Sequence, residues 1–229
     1  MNIGKLCMAG AACLTAGLLY GGEESVATRL KTSSDVLTEI MTAPDAGIPQ
    51  ELLEKSQCVV IVPGLKKAAF IVGGKYGRGF ISCRSNAGPG WSSPAGVKVE
   101  GGSFGFQIGG SETDVIMLVM NKRGAEKLLS SKFTLGADAS VAAGPVGRNT
   151  AADTDLKLQA EILTYSRSRG VFAGIALNGA TLRPDQESNA ELYGSGLTNR
   201  QIVMGTTKRS PAAATELTAN LNKYSARKD

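Results

Sequence analysis

Hydrophobic and polar residues alternate along the segment from Gly101 to Asn121, which reads GGSFGFQIGGSETDVIMLVMN. Its first part alternates apolar with small or polar residues, so one face of a predicted strand is apolar. Gly109 to Ser111 supply turn residues, and Val115 to Met120 is apolar throughout, as in a strand covered on both faces. The pattern predicts a β-hairpin at the centre of a sheet.

Further strands are predicted wherever short apolar or alternating runs are bounded by Gly or Pro. They are 57–62, 68–72, 76–83, 97–99, 135–143, 156–166 and 170–177. Pro63–Gly64 and Gly73–Lys75 are the predicted turns between the first three. Apolar residues at helical spacing predict helices over 23–41, 49–56, 122–131, 188–193, 198–204 and 211–224. The predicted class is α+β, with a curved or barrel-like antiparallel sheet flanked by N- and C-terminal helices.

The first 22 residues read as a secretory signal peptide, and residues 23–229 as one domain. Lys5 precedes an apolar run from Leu6 to about Tyr20, which is short for a bilayer span but fits a signal-peptide core. An uncleaved membrane anchor is the alternative. A lipoprotein acylated at Cys13 is disfavoured, because Gly10 stands where a lipobox usually has Leu. We expect an exported protein, in the periplasm or associated with the cell envelope.

Cys58 and Cys83 are the cysteines that remain if this segment is removed. Because an exported protein meets an oxidising compartment, the two thiols are expected to form a disulfide. The alternative is two buried thiols that act as small hydrophobic side chains.

The length and charge of the chain exclude some classes of partner but do not identify one. The chain has 229 residues, enough for one domain with a sizeable core, and its formal charge of +5 favours anionic partners. We expect no nucleic-acid binding, because long basic runs and zinc-finger or RNP patterns are absent from the sequence.

Motifs for catalysis, phosphate binding and metal binding are incomplete. Gly101 to Gly105 fits G-x-S-x-G, but the sequence contains no histidine, which excludes a Ser-His-acid triad. Gly73 to Gly79 is glycine-rich without matching a dinucleotide or Walker pattern. The scattered cysteines and short acidic pairs complete no metal site. We therefore expect a protein that is not an enzyme and needs no metal or cofactor.

Several blocks of the sequence, in consecutive order, resemble the SYLF family. They are IVPGLKKAAFIVGGKYGRGFISCR (61–84), Gly90-Trp91-Ser92, GSFGFQIG (102–109), TDVIMLVMN (113–121), FTLGADASVAAGPVGRN (133–149) and TYSRSRGVFAGIALNGATL (164–182). The resemblance runs from roughly Ile48 to Gly194. It implies a lipid-binding domain, and some eukaryotic members of the family also bind actin. Because no adaptor domain accompanies the sequence, we expect a bacterial envelope protein for which actin is not a partner.

Cations at predicted turns are the candidate lipid-binding residues: Lys66, Lys67, Lys75, Arg78 and Arg148. Arg offers a bidentate fork to lipid phosphates and Lys a point charge, although each residue could equally be an unrelated solvated side chain. The helix over 23–41 carries carboxylates beside its cations, which favours packing on the sheet over insertion into an anionic membrane.

The resulting hypothesis is a lipid-binding domain that recognises anionic phospholipid or phosphoinositide-like head groups at a membrane surface. The alternative is a structural or partner-binding component of the cell envelope, which would use the sheet edge or the first helix as its contact.

Overall fold

The structure is a computed structural model that describes residues 24–43, 47–70, 72–85, 89–104, 109–146, 160–168, 171–174, 177–205 and 211–225. The predicted signal peptide therefore lies outside the described residues. Six helices occur in these ranges: α1 Val26–Thr42, α2 Gln50–Lys55, α3 Lys122–Leu128, α4 Gln186–Tyr193, α5 Asn199–Val203 and α6 Ala212–Ser225. None of these helices is long and apolar enough to cross a membrane.

Nine strands occur in the same ranges: β1 Cys58–Phe70, β2 Val72–Cys83, β3 Ala95–Phe104, β4 Gly109–Val119, β5 Phe133–Thr134, β6 Val141–Ala143, β7 Ile162–Ser168, β8 Val171–Gly174 and β9 Thr181–Pro184. They form one curled, half-barrel sheet in the order β5-β9-β3-β2-β1-β4-β7-β6, with β8 also paired to β7. All pairs are antiparallel except β6 with β7. The α+β class, the curved sheet and the flanking helices are confirmed.

The core lies on both faces of the central strands. Residues 58–62 of β1 and 115–119 of β4 are buried without interruption, as expected for strands that are covered on both sides. Helix α1 covers one of these faces, where it packs against β1 and α6. Leu30, Leu37 and Ile40 of α1 are fully buried. The packing interpretation of the first helix therefore accounts for its apolar side.

The predicted central hairpin is wrong in its pairing. β3 and β4 follow each other in the sequence, but β2 and β1 lie between them in the sheet. The two strands are therefore the outer neighbours of a β1–β2 hairpin. Gly109 to Ser111, predicted as a turn, begin β4 instead.

Two other predicted turns are strand interior. β1 continues through Pro63–Gly64, because a register shift next to these residues absorbs the irregularity and Gly64 adopts a φ of 58°. β2 likewise runs through Gly73–Lys75, and the β1–β2 register continues to the pair Phe70–Val72.

Other boundaries also differ from the prediction. The predicted strand 135–143 is divided into an isolated Leu135–Ala139 bridge, a turn and the short strand β6. The strand predicted over 156–166 is observed as β7, Ile162–Ser168. Residues 156–159 of the predicted strand lie outside the described residues. The pattern also missed β9, which has only four residues.

Candidate functional site

Lys67 and Lys75 are directly opposite each other on the β1–β2 pair. Gly101 of β3 lies opposite Lys75, and Ser111 of β4 lies opposite Lys67. Because opposite residues of antiparallel strands share a face, these four residues form a transverse row, which we call the lysine row. Two ammonium groups thus neighbour each other between two small residues.

The lysine row lies where the sheet narrows to four strands. The register of β4 with β7 reaches Asp114, and that of β3 with β9 reaches Glu100. Beyond these points the described pairing involves only β3, β2, β1 and β4. The row therefore lies at one end of the sheet, beyond the points where the pairings with β7 and β9 stop.

The electrostatic environment of the row is cationic. None of its four members carries a carboxylate, and no ion pair joins Lys67 or Lys75 to an acidic residue in the described part of the chain. Partial burial, followed by the charge of Lys75, lowers the pKa of the Lys67 ammonium. Like charges directly opposite on neighbouring strands are destabilising. An external anion would relieve this repulsion.

Lys66 points to the other face of the sheet, because successive residues of a strand alternate between faces. Its opposite residues are Tyr76 on β2 and the acidic Glu112 on β4. Tyr76 is 46% exposed, which makes it one of the most exposed large hydrophobic side chains described. The structure therefore separates Lys66 from the lysine row and places it beside a carboxylate and an aromatic ring.

The predicted position of Arg78 at a turn is wrong. It lies within β2, and its side chain is only 8% exposed. Its Nε donates to Oδ2 of Asp185 at 2.6 Å, and its Nη2 lies 3.1 Å from Oε2 of Glu187. Burial alone would lower the pKa of Arg78, but bonding to Asp185 raises it overall. Arg78 is an internal ion-pair residue and does not belong to an exposed cationic surface.

Arg148, the remaining candidate cation, lies outside the described residues. The described ranges contain no cluster of three or more Cys, Asp or Glu side chains arranged to hold a metal ion.

Cys58 and Cys83 are register partners at the opposite end of the β1–β2 pair from the lysine row, and their Sγ atoms are joined in the structure. Both residues are buried. The cross-link joins the first residue of β1 to the last residue of β2, which places it in a structural position.

A comparison with known protein families matches residues 100–224 to the Ysc84 family, described as Las17-binding protein actin regulators. The chain belongs to the Ysc84/SYLF family. The resemblance noted in the sequence is therefore confirmed. The family description concerns actin regulation and names no reaction.

The curated relatives of this Ysc84/SYLF chain include human and yeast proteins. The human SH3 domain-containing YSC84-like protein 1 is 33% identical over 190 residues, which cover 82% of this chain and 55% of the human protein. Protein YSC84 of Saccharomyces cerevisiae is 33% identical over 173 residues, covering 74% of this chain and 36% of the yeast protein. The chain spans about half the length of the curated mammalian relatives it matches. These comparisons do not support the expectation that actin is excluded as a partner.

Sequence reasoning selected Lys67 and Lys75 but missed their pairing and the exposed side chain of Tyr76. A signal was available: Lys67 is three positions before Phe70 and Lys75 three positions after Val72, as in cross-strand partners of a hairpin whose last pair is Phe70–Val72. Placing the turn at the glycines concealed this symmetry. The long-range partner of Arg78, Asp185, left no comparable local signal.

Proposed function

We propose that this SYLF domain binds anionic phospholipid head groups at a membrane surface through the lysine row. The observation that carries the proposal is the cross-strand pair of Lys67 and Lys75, which shares its row with Gly101 and Ser111 and with no carboxylate. A lipid phosphate between the two ammonium groups would replace their repulsion with two charge-assisted hydrogen bonds.

The other face of the same strands supports an interfacial position. The side chain of Tyr76 is exposed, and Lys66 lies opposite Tyr76 on the neighbouring strand. Arg78, two residues further along β2, is buried. Tyrosine is enriched where one end of a side chain meets apolar surroundings and the other meets water. We propose that Tyr76 lies at the head-group level when the lysine row engages phosphates.

The expected energetics are modest and depend on salt. Each lysine near an anionic membrane contributes about 1 kcal/mol, so neutralising both should weaken vesicle binding by about 30-fold. Raising the ionic strength from about 0.1 M to about 1 M shortens the Debye length from about 10 Å to about 3 Å and should remove most of the difference.

The test is co-sedimentation with phosphatidylcholine vesicles that contain or lack phosphatidylserine. The variant is Lys67→Gln/Lys75→Gln, and the matched control is Lys122→Gln, which removes an exposed charge beyond the opposite end of β4 from the lysine row. Binding to the anionic vesicles should fall strongly for the first variant and little for the control. Equal binding to both vesicle types, or equal losses per charge in variant and control, would refute the proposal.

A second candidate function is the binding of actin or of an actin regulator. The observation that favours it is the family match over residues 100–224, since that family is described by Las17 binding and actin regulation. Co-sedimentation with filamentous actin tests it directly. Binding to actin that survives Lys67→Gln/Lys75→Gln would separate this function from the lipid surface.

We also propose that the protein is exported, from the apolar segment Leu6 to Tyr20 that follows Lys5. The mature chain should then begin between Leu18 and Ser25. Mass spectrometry of the protein purified from its native cells tests this. An intact Met1 or an acylated Cys13 would contradict it.

A further inference from the structure

A polar cavity of about 190 Å³ opens between the start of α1, strand β2 and helix α4. Its lining includes Glu24, Arg29, Arg78, Glu187, Ser188 and Glu191. Arg78 and Lys75 are three positions apart on β2, so their side chains lie on opposite faces of the sheet. The cavity is therefore separate from the lysine row.

Two buried guanidinium groups line the cavity and share one hydroxyl. Arg29 is 3% exposed, and its Nη1 donates to Oγ of Ser188 at 3.2 Å. Nη2 of Arg78 donates to the same oxygen at 3.3 Å, and the hydroxyl donates to Oδ2 of Asp185 at 2.7 Å. Ser188 thus holds both cations next to the cavity.

The two arginines differ in how completely they are paired. Arg78 forms a two-point interaction with Asp185, whereas the described carboxylate closest to Arg29 is that of Glu24, 3.9 Å from Nε. Within the described residues, the Arg29 guanidinium makes two hydrogen bonds, to Ser188 and to the Glu24 carbonyl oxygen. A guanidinium has five N–H donors, and a buried cation is costly unless it is paired. Three of the five donors of this buried guanidinium therefore have no hydrogen bond among the described residues, and its ion pair with Glu24 is long, which points to an anionic group in the cavity.

The rim of the cavity has the opposite charge. Glu24, Glu187 and Glu191 are exposed and contribute three carboxylates. Glu187 is paired with Arg78 and Lys98, and Glu24 lies 3.9 Å from Arg29, whereas no ion pair to Glu191 occurs among the described residues. A small dianion would be repelled by these groups on its way to Arg29, whereas an ammonium would be attracted. The arrangement favours a ligand with an anionic end at the arginines and a cationic end at the rim.

The size of the cavity limits the ligand further. An apolar cavity of about 150 Å³ holds benzene, a molecule with six heavy atoms. A cavity of about 190 Å³ therefore suits a ligand slightly larger than benzene. Ethanolamine phosphate, a short zwitterion, has this size and the required separation of charges.

We propose that this cavity binds a small zwitterion in which a phosphate or carboxylate is joined by a short chain to a primary ammonium. The anionic group contacts Arg29, and the ammonium contacts Glu191. The ligand could be a free metabolite or a phosphatidylethanolamine head group, which share this chemistry. The site does not depend on the lysine row.

Calorimetric titration of the folded protein with ethanolamine phosphate, phosphocholine and inorganic phosphate tests the site. Ethanolamine phosphate should bind most tightly, because phosphocholine lacks ammonium N–H donors and inorganic phosphate lacks the cation. Arg29→Gln should weaken binding of ethanolamine phosphate by about 10- to 100-fold, the loss expected for hydrogen bonds to charged groups. Lys31→Gln, which removes an exposed charge from the same helix, should leave it unchanged.

Glu191→Gln keeps the test informative if Arg29→Gln fails to fold. Glu191 is exposed, so its substitution should preserve the structure while reducing the preference for ethanolamine phosphate over inorganic phosphate. Retained binding in Lys67→Gln/Lys75→Gln would support a separate site, whereas parallel loss in that variant would overturn it. Absence of binding, or equal affinity for all three probes, would also overturn the proposal.

Competition by phosphatidylethanolamine vesicles identifies the source of the ligand. Displacement of bound ethanolamine phosphate by these vesicles would support a lipid head group. Retained binding in their presence would support the same site with a soluble ligand.

Discussion

The guanidinium of Arg78 holds the carboxylate of Asp185 at two points, with Nε 2.6 Å from Oδ2 and Nη2 2.8 Å from Oδ1. Asp185 is also the N-cap of α4, where it accepts a hydrogen bond from the backbone N–H of Ser188. Both side chains are buried, at 8% and 0% exposure. One ion pair therefore fixes the start of α4 against the middle of β2.

Replacing Asp185 with Asn should destabilise the fold strongly. The substitution leaves the buried charge of Arg78 without its main partner, and breaking a buried pair from one side typically costs about 3 to 5 kcal/mol. Urea unfolding followed by circular dichroism measures the change. Glu51→Gln, which affects an exposed ion pair with Lys55, is the control and should leave the unfolding midpoint unchanged. A midpoint for Asp185→Asn equal to that of the control would contradict the prediction.

The same pair should make stability depend on acidic pH. Burial alone would raise the pKa of Asp185, but hydrogen bonds from Arg78 and Ser188 lower it below the usual 3.8. Because the folded pKa is below the unfolded one, the stabilisation is complete above the unfolded pKa. It is lost as the pH falls through the folded pKa.

Urea unfolding at several values between about pH 6 and pH 2 measures this dependence. The free energy of unfolding should fall over the lower part of the range in the parent protein. Asp185→Asn should show a shallower fall, since it lacks the titrating carboxyl group. Identical slopes in the two proteins would show that other carboxyl groups govern the acid response.

Arg84 should be a second determinant of stability. Its guanidinium donates to the carbonyl oxygens of Leu53 and Glu54 in the last turn of α2 and of Ser56 directly after it. It also donates to the carbonyl oxygen of Ser225 at the end of α6. It also lies 4.1 Å from the centre of the Trp91 ring. Cations are favourable at helix C-termini, and the planar fork matches several carbonyl groups at once.

Replacing Arg84 with Lys keeps the charge but loses the fork, and should reduce the free energy of unfolding by about 2 to 4 kcal/mol. Arg123→Lys is the matched control, because Arg123 is 78% exposed and 4.0 Å from Glu161. Urea unfolding of both variants provides the measurement. If the two substitutions have the same effect, Arg84 does not act through its fork.

The helices could be predicted from the sequence because the residues that begin them lie next to them in the chain. Asn121 caps α3 through its side chain, and Thr198 and Gln201 form a capping box at α5. These residues lie within a few positions of the helices that they begin. Five apolar residues in succession likewise located the buried part of β4.

The strand pairing and the cavity could not be predicted in the same way. β3 and β4 are consecutive in the sequence, so a hairpin was the simplest expectation, but β1 and β2 separate them in the sheet. Arg78 and Asp185 are 107 positions apart, and Arg29 and Ser188 are 159 apart. The spacing of apolar residues along a strand or a helix indicates which face is buried, but it does not indicate which distant residue packs there.

Gly79 should be required for the close approach of β2 to β1. A Cβ atom built on Gly79 would overlap the carbonyl oxygen of Ile61, whereas one on Gly74 of the same strand would meet nothing within 4 Å. Gly79→Ala should therefore destabilise the protein by about 1 to 3 kcal/mol or more, as overpacking does. Thermal unfolding measures the change. Gly74→Ala is the control, and an equal effect at both positions would contradict the packing argument.

The Cys58–Cys83 cross-link should contribute to stability through the unfolded chain. The two residues are separated by 25 positions, and closing a loop of this length removes unfolded-state entropy worth about 3 to 4 kcal/mol. Cys58→Ala/Cys83→Ala should therefore unfold at a lower urea concentration than the oxidised protein. The reduced parent protein should move in the same direction.

Thiol alkylation distinguishes the disulfide from two buried thiols. Without reductant, the denatured oxidised protein should leave both cysteines unmodified, and with reductant both should react. Modification of both without reductant would show that the thiols are unpaired. In that case the double Ala variant should lose stability only through packing, and adding reductant to the parent protein should change nothing.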